Sequence, residues 1–206
     1  MDAPRLILAS ASPRRQQLLR EAGFAFEIDP ADIDEEAVPT GMSPSDIARY
    51  LAESKAKVVA GRHWGDVILG ADTVVAFNEK SLGKPRDAAD AKKMLQLLSG
   101  TTHLVITGVA VINPEKNFSR VVRVMSAVTM RSLLASEIDR YVASNEWQGK
   151  AGGYGIQDAE LFPSDLPRSP PFITRHAGSR SNIVGLPMTA TKQILAEAGI
   201  KPEKEQ

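Results

Sequence analysis

The stretch that decides the fold is LILASASPRRQQLLREAG, residues 6–23, near the start of the chain. Its first four residues are apolar and predict a short buried strand. The four residues that follow predict a tight turn, since Ser12 suits a helix N-cap and Pro13 suits the first helical position. A helical pattern comes next and ends at Gly23. The chain therefore begins as a strand, a turn and a helix.

The rest of the chain continues this alternation. Residues 67–77 form a long apolar run, which indicates a strand buried on both faces. Residues 103–112 and 118–128 predict two hairpin strands joined by the loop NPEKN. Further elements are predicted as short strands at 24–28 and 182–186, and as helices at 44–60 after Ser43, after Asp87, after Ser136 and at 189–198. Residues 158–180, rich in proline and charge, predict an irregular surface excursion. Alternating strands and helices with a central hairpin argue for an α/β fold with a mixed sheet.

Composition narrows the class of protein. A chain of 206 residues suits one domain, or one domain with two lobes. The 25 basic and 25 acidic residues balance, which disfavours a nonspecific nucleic-acid binder. The absence of cysteine excludes disulfides, thiolate metal sites and a cysteine nucleophile. No signal-peptide pattern and no apolar stretch near the roughly 20 residues of a membrane span are present, so we expect a cytoplasmic protein that does not enter a membrane.

The turn into the first helix is a candidate phosphate site. Backbone amides at a helix N-terminus favour an anion, and here Ser10 and Ser12 add hydroxyl donors while Arg14 and Arg15 add charge-assisted donors. The alternative is that Ser12 only caps the helix and the arginines are solvated. Two positive charges at the positive end of a helix dipole repel it, which favours a bound anion.

Asp72 is the second candidate. It lies inside the apolar strand at 67–77, where a carboxylate loses hydration and needs a partner or a metal ion. Gly70, two residues earlier, allows a ligand or another backbone to approach closely. We therefore interpret Asp72 as a metal ligand or general base. The alternative is a strand-end aspartate that neighbouring N–H groups satisfy.

Two lysines and one acidic run complete the charged candidates. Lys55 falls on or beside the buried face of the helix at 44–60, an unusual place for a lysine, although its stem could also snorkel to solvent. Lys84 lies in a loop before Pro85, where its charge could reach a phosphate; the alternative is an ordinary solvated loop lysine. The acidic residues at 32–36 offer hard oxygen ligands, or they form a solvated loop. The three histidines show no metal-ligand spacing, and we assign them no role.

A glycine-rich string, GGYGIQ, covers residues 152–157. Glycines allow positive φ and close approach of the backbone, and the Gln157 amide can read a base edge through paired hydrogen bonds. The string is neither a Walker A loop nor a Rossmann fingerprint. Alone it indicates a close-approach loop and no particular ligand.

Five strings together resemble one family. They are ASASPRR at 9–15, GADTVV at 70–75, LGKP at 82–85, KAGGYGIQ at 150–157 and SNIVGLP at 181–187. In this order, and over nearly the whole chain, they resemble the Maf family of nucleoside triphosphate pyrophosphatases. The resemblance implies a single domain over residues 1–206 with an α/β, Maf-like (inosine triphosphatase-like) two-lobed fold, an elongated mixed sheet and a central cleft. It also implies hydrolysis between the α and β phosphates, a divalent cation (Mg²⁺ or Mn²⁺) and a homodimer.

The resemblance assigns roles residue by residue. Asp72 matches the family's catalytic aspartate, usually described as the proton acceptor, and Asp72 with Glu35 would hold the metal. The positions that match polar residues around the phosphates are Ser10, Arg14, Arg15, Lys55 and Lys84. Arg14, Thr73 and Gln157 match the specificity positions of the subgroup that acts on dTTP and UTP. Two departures lie beside the last of these: Asp158 where glycine is common, and a longer, proline-rich stretch at 159–180.

Other functions remain open on the sequence alone. One is a house-cleaning pyrophosphatase for noncanonical or methylated purine nucleotides. Another is a regulatory binding protein in cell division, which would need a partner surface in place of a catalytic cleft. The phosphate-type residues argue against the second as the sole role.

Overall fold

The computed structural model describes residues 4–156 and 171–203. Its strands are β1 (Leu6–Leu8), β2 (Glu27–Ile28), β3 (Val67–Phe77), β4 (Lys80–Leu82), β5 (Thr102–Asn113), β6 (Phe118–Met130) and β7 (Ile173–Ala177). Its helices are α1 (Pro13–Glu21), α2 (Pro44–Ala60), α3 (Ala88–Leu98), α4 (Ala135–Ala143), α5 (Arg180–Val184) and α6 (Met188–Glu197). Within these residues, no helix is long and apolar enough to cross a membrane.

One mixed sheet carries all of these strands. Their order is β2-β1-β3-β5-β6-β7, and β4 pairs with β3 beside this path. β1 runs parallel to β2 and to β3, whereas the β3–β4, β3–β5, β5–β6 and β6–β7 pairs are antiparallel. The predicted α/β class, the mixed sheet and the central hairpin are therefore confirmed.

The two faces of the sheet bury different layers. Even-numbered β3 residues such as Ile68 pack with Ala52, Ala56 and Val59 of α2. Odd-numbered ones such as Leu69 pack on the other face, in a cluster that includes residues of α1 and α6. A third cluster joins α3 and α4 to the far ends of β3, β5 and β6. Burial on both faces explains why β3 is apolar along nearly its whole length.

Of the four predicted helix caps, Ser43 and Asp87 form, Ser12 makes no capping hydrogen bond and Ser136 is misplaced. Ser43 and Asp87 accept hydrogen bonds from the backbone N–H groups three residues on, as predicted. The predicted cap at Ser136 is wrong, because α4 already begins at Ala135. There the Glu137 carboxylate accepts a hydrogen bond of 2.8 Å from the Leu134 N–H and satisfies that end of the helix.

The predicted final strand at 182–186 is also wrong. This segment forms the short helix α5, capped by the Ser179 hydroxyl, which accepts from the Asn182 N–H. The Asn182 side chain donates to the Val105 carbonyl and so anchors the helix on the sheet. The strand of this region is β7, inside the stretch predicted as irregular. The predicted strand at 24–28 is reduced to the two residues of β2.

Candidate active site

A cleft opens along one edge of β3. β1 pairs with β3 only as far as Leu69, and β4 rejoins the same edge at Val75. Between these points no described residue adds a strand to that edge, so Asp72 and Thr73 face an opening of 510 Å³. The β1–α1 turn, the loop before Pro85 and the glycine turn at 149–153 enclose this opening. The predicted phosphate turn, the Lys84 loop and part of the glycine-rich segment therefore converge.

A carboxylate–lysine cluster, made of Asp72, Glu35, Lys55 and Lys84, forms one end of the cleft. Lys55 Nζ lies 2.5 Å from Asp72 Oδ1 and 2.7 Å from Glu35 Oε1. Lys84 Nζ lies 2.6 Å from Glu35 Oε2. The side chains of Lys55 and Asp72 are only 6% and 7% exposed. The sequence argument for an inward-facing Lys55 and a buried Asp72 is confirmed.

Two glycines let α2 place Lys55 there. Gly108 lies directly opposite Asp72 in the β3–β5 pair, and a Cβ atom on Gly108 would stand 2.1 Å from the Ala48 carbonyl oxygen. A Cβ atom on Gly70 would stand 2.3 Å from the Ala52 carbonyl oxygen. Both distances are far inside van der Waals contact, so α2 lies against bare backbone. Gly70 was expected to permit a close approach, and the group that approaches it is helix α2.

Glu35 is ionised by its two lysine partners. Partial burial alone raises the pKa of this carboxyl, but hydrogen bonds and charges from Lys55 and Lys84 outweigh burial and lower the pKa to about 2. Glu35 therefore carries a full negative charge at physiological pH. The loop at 32–36 is thus fixed to the cluster through Glu35, while Asp34 only caps the local turn by accepting from the Glu36 N–H.

Arg15 lies under the cleft and organises its wall. Its guanidinium donates to the Gly185 carbonyl at 2.9 Å, to Ser10 Oγ at 2.9 Å and to Thr73 Oγ1 at 3.2 Å. Burial lowers the pKa of Arg15, while Asp72 and Glu35 oppose this shift, and an arginine stays charged in any case. Arg15 thus contributes positive charge to the cleft while most of its donors hold protein groups.

Ser10 is set up as a donor toward the cleft. Its hydroxyl oxygen accepts from Arg15 Nη1 at 2.9 Å and from the Ser12 N–H at 3.3 Å. A hydroxyl has two acceptor lone pairs and one proton, so both lone pairs are engaged and the proton is left for another acceptor. Ser12 sits at the N-cap position of α1, but its side chain makes no capping hydrogen bond. Both serines line the cleft.

Arg14 and the glycine turn form a further part of the cleft wall. Arg14 lines the cleft and donates to the Gly149 carbonyl at 3.0 Å, which joins α1 to the glycine turn. Gly152 and Gly153 adopt positive φ, as their sequence predicted, and Gly149 does so too. Gly152 packs so closely on Val75 that a Cβ atom would stand 2.9 Å from it. Gln157 and Asp158 lie outside the described residues, as does the stretch 159–170.

Lys150 and Tyr154 line the cleft but were given no role from the sequence. Lys150 Nζ contacts Glu146 at 3.1 Å. The Tyr154 hydroxyl lies 2.5 Å from His103 Nε2 in the core, and burial lowers the pKa of His103 to about 4 and raises that of Tyr154. A polar pair that joins two segments so far apart in sequence leaves no local pattern, so it could not be found without the fold.

The cleft has a surplus of positive charge and an apolar wall. Among described residues, five cationic side chains line it against the two carboxylates Glu35 and Asp72, a surplus that attracts polyanions. The apolar lining consists mainly of Val75, Val105, Ile156, Ile183 and Val184. A ligand with several phosphates and one flat ring matches this division.

The cluster also fits a divalent cation. Asp72 Oδ1 and Glu35 Oε1 contact the same Lys55 Nζ, so two carboxylates that could act as hard oxygen ligands meet at one side chain. Mg²⁺ is commonly held by one or two carboxylates together with substrate phosphates. Within the described part of the chain, no group of three or more acidic, histidine or cysteine residues could hold a metal ion by itself.

Comparison with known proteins places this cleft in a family. The sequence profile of the Maf-like proteins matches residues 5–198. A dTTP/UTP pyrophosphatase from Rhodospirillum rubrum is 42% identical over 97% of this chain and 90% of its own length. One from Paramagnetospirillum magneticum is 45% identical over 96% and 98%. Among solved structures, a dITP/XTP pyrophosphatase from Mycobacterium abscessus aligns with a TM-score of 0.38 and 17% identity, over 78% of this chain and all of that one. By its profile and its full-length relatives, the chain belongs to the Maf family.

Proposed function

We propose that this protein hydrolyses nucleoside triphosphates to the monophosphate and pyrophosphate, with dTTP and UTP as its substrates. The observation that carries the proposal is the carboxylate–lysine cluster in an electropositive cleft, where Lys55 Nζ contacts both Asp72 and Glu35. Relatives at 42% and 45% identity over nearly the whole chain are named dTTP/UTP pyrophosphatases, which supports the same substrates here.

The division of the cleft orients the nucleotide. The triphosphate lies at the α1 N-terminus, where backbone amides, the Ser10 hydroxyl proton and the charges of Arg14, Lys55 and Lys84 meet it. The base lies against the apolar wall near Val75, between the sheet and the glycine turn. In this proposal the α-phosphorus lies between the phosphate-binding residues and the apolar wall, beside Asp72.

Asp72 takes the proton of the attacking water. Lys55 holds Oδ1, and no described residue donates to Oδ2, so Oδ2 is left to accept the proton. The water oxygen bonds to the α-phosphorus, the bond from that phosphorus to the α,β-bridging oxygen breaks, and pyrophosphate leaves with the bonding pair. The lysines and the α1 N-terminus neutralise the charge that develops on the leaving group. Removal of a general base costs about 10²–10⁴ in rate.

A divalent cation, Mg²⁺ or Mn²⁺, belongs to this proposal. Asp72 and Glu35 would hold it together with phosphate oxygens, and it would add Lewis-acid stabilisation of the phosphates. The contact of both carboxylates with Lys55 Nζ supports it. Chelation with EDTA should abolish pyrophosphate release, and added Mg²⁺ or Mn²⁺ should restore it. Full activity in EDTA would remove the cation from the proposal.

The deciding experiment measures pyrophosphate and monophosphate from dTTP, UTP, CTP, GTP, ITP and 7-methyl-GTP, with Asp72→Asn beside the wild type. Asparagine keeps an Oδ1 acceptor for Lys55, and Glu35 still balances the lysine charge, so the variant should fold. We expect dTTP and UTP turnover to fall by at least about 10². Asp139→Asn, an exposed carboxylate paired with Lys92 outside the cleft, is the matched control. Near-normal turnover by Asp72→Asn would refute the assignment.

The family resemblance also supports a homodimer, and a cytoplasmic location stays a prediction from the sequence pattern. A dimer should sediment at twice the 22.2 kDa mass of the chain. Sedimentation as a monomer at assay concentrations would exclude the dimer as the active form, and cell fractionation tests the location.

A further inference from the structure

A buried chain of hydrogen bonds runs from α5 to the floor of the cleft. Thr107 Oγ1 lies 3.1 Å from the Asn182 carbonyl oxygen and 3.0 Å from Thr73 Oγ1. Thr107 and Asn182 have no exposed surface, and Thr73 is half-buried at the cleft. Arg15 Nη2 closes the chain by donating to Thr73 Oγ1 at 3.2 Å.

Counting protons fixes the direction of every bond in this chain. The Asn182 carbonyl can only accept, so Thr107 must donate its single proton to it. The Thr107–Thr73 contact then needs the proton of Thr73, since the opposite arrangement would leave two oxygens 3.1 Å apart with no proton between them. Arg15 can only donate, which is consistent with this direction. Thr73 has therefore used its proton and one lone pair.

What Thr73 presents to the cleft is one remaining lone pair. It is the opposite of Ser10, whose two lone pairs are engaged and whose proton is available. A phosphate oxygen accepts hydrogen bonds, so it matches Ser10 and is mismatched to Thr73. A ligand atom beside Thr73 must instead be a donor.

The surroundings of Thr73 indicate that this donor belongs to the base. Thr73 pairs directly with Thr107, and two residues further on Val75 pairs with Val105 on the same face of the sheet. Val75, Val105 and Ile183 are part of the apolar wall of the cleft. Asp72 points to the opposite face, toward Lys55. Thr73 thus lies at the boundary between the charged end and the wall that suits a flat ring.

We propose that Thr107 is a positioning residue that sets Thr73 as an obligate acceptor, and that Thr73 thereby selects a pyrimidine with a ring N–H, such as thymine or uracil, over cytosine. In thymine and uracil N3 carries a proton, whereas N3 of cytosine is an acceptor and would face the Thr73 lone pair. This inference rests on the proposed function for the placement of the nucleotide. The assignment of proton positions stands on the hydrogen bonds alone.

The test compares dTTP with 5-methyl-dCTP, which keeps the methyl group and changes only the hydrogen-bonding edge. The ratio of their kcat/KM values is measured for the wild type, Thr107→Val and Thr107→Ser. Valine removes the hydroxyl and releases the Thr73 proton, so the preference for dTTP should fall at least about fivefold. Serine keeps the hydroxyl and should keep the preference. Thr102→Val, which breaks an exposed threonine pair on the same strand, should change nothing.

Two further measurements keep the outcomes separate. Thermal unfolding checks that Thr107→Val is folded, and Thr107→Ala replaces it if valine is not tolerated. Calorimetric binding of dTMP against 5-methyl-dCMP reports the same preference without catalysis. A wild-type preference that Thr107→Val or Thr107→Ala retains in full would overturn the inference, as would a wild type with no preference. Absence of pyrophosphate from every nucleotide would overturn the proposed function, and the binding ratio would still decide on Thr107.

Discussion

Replacement of Gly108 by alanine should leave the sheet folded and disturb the carboxylate–lysine cluster. Gly108 lies opposite Asp72, under the first half of α2. An alanine Cβ there would stand 2.1 Å from the Ala48 carbonyl oxygen and 2.8 Å from the Arg49 nitrogen. These are backbone atoms of a helix, so no side-chain rotation relieves the clash. The helix itself has to move.

The size of that movement follows from the contact distance. Carbon and oxygen atoms in contact need a little over 3 Å, so Ala48 must retreat by about 1 Å. Lys55, two turns further along α2, makes its 2.5 Å contact with Asp72 from the same helix. A shift of about 1 Å takes that contact beyond the hydrogen-bonding range. Misplacement on this scale costs about 10² in rate, and overpacking costs about 1–3 kcal/mol in stability.

The assay is pyrophosphate release from dTTP by Gly108→Ala, with thermal unfolding of the same sample. We expect a folded protein whose Tm falls by several degrees and whose kcat/KM falls about 10². Gly61→Ala is the matched control, because Gly61 ends α2 in right-handed helical geometry and its Cβ would make an ordinary contact at 3.5 Å. If Gly108→Ala were folded and as active as Gly61→Ala, the close approach of α2 would not be what positions Lys55.

Two further predictions concern charge. Burial lowers the pKa of His103 from 6.5 to about 4, so between these pH values the imidazole is protonated in the unfolded chain and neutral in the folded one. The free energy of unfolding therefore falls as the pH drops from 6.5 toward 4. His103→Gln should remove roughly 3 kcal/mol of that loss. Urea unfolding of both proteins at several pH values measures it, and parallel plots of unfolding free energy against pH would refute it. Glu35→Gln should raise the Mg²⁺ concentration for half-maximal activity about tenfold, since it removes a carboxylate ionised at any pH well above 2. Glu53→Gln, whose carboxylate pairs with Lys57 on the surface, is its control, and an equal Mg²⁺ requirement in both variants would contradict the metal role of Glu35.

Much of the fold could be predicted because its signals are local. The apolar run at 67–77 predicted both ends of β3 correctly, and Ser43 with Pro44 predicted the start of α2. The errors came where tertiary contacts outweigh local pattern. Residues 182–186 are apolar enough for a strand, yet the Ser179 cap and the Asn182 side chain, bonded to Val105 in the core, hold them as a helix. β7 was missed because its residues look polar, and four of its five are exposed.

The site was predictable at the level of single residues but not of contacts. An isolated aspartate in an apolar strand and a lysine on an apolar helix face each violate a local rule, and both belong to the cluster. That they contact one another follows from Gly70 and Gly108, whose meaning depends on α2 crossing them. Thr107 violated no rule, since a threonine in a strand is ordinary, so its place beneath Thr73 could come only from the register of β3 and β5.

Asp72 and Thr73 are adjacent on β3, but their side chains lie on opposite faces of the sheet. Asp72 faces α2, where a lysine balances its charge and leaves one oxygen open. Thr73 faces α5, where it donates its proton to Thr107, which donates to the Asn182 carbonyl, and one lone pair of Thr73 is left open. Because successive strand residues point to opposite faces, the residue proposed for the reaction and the residue proposed for recognition have separate neighbours on one strand. A change on the α5 face should therefore alter which base is accepted with little effect on Asp72. A change on the α2 face should slow every nucleotide alike, so kcat/KM values across the panel distinguish the two faces.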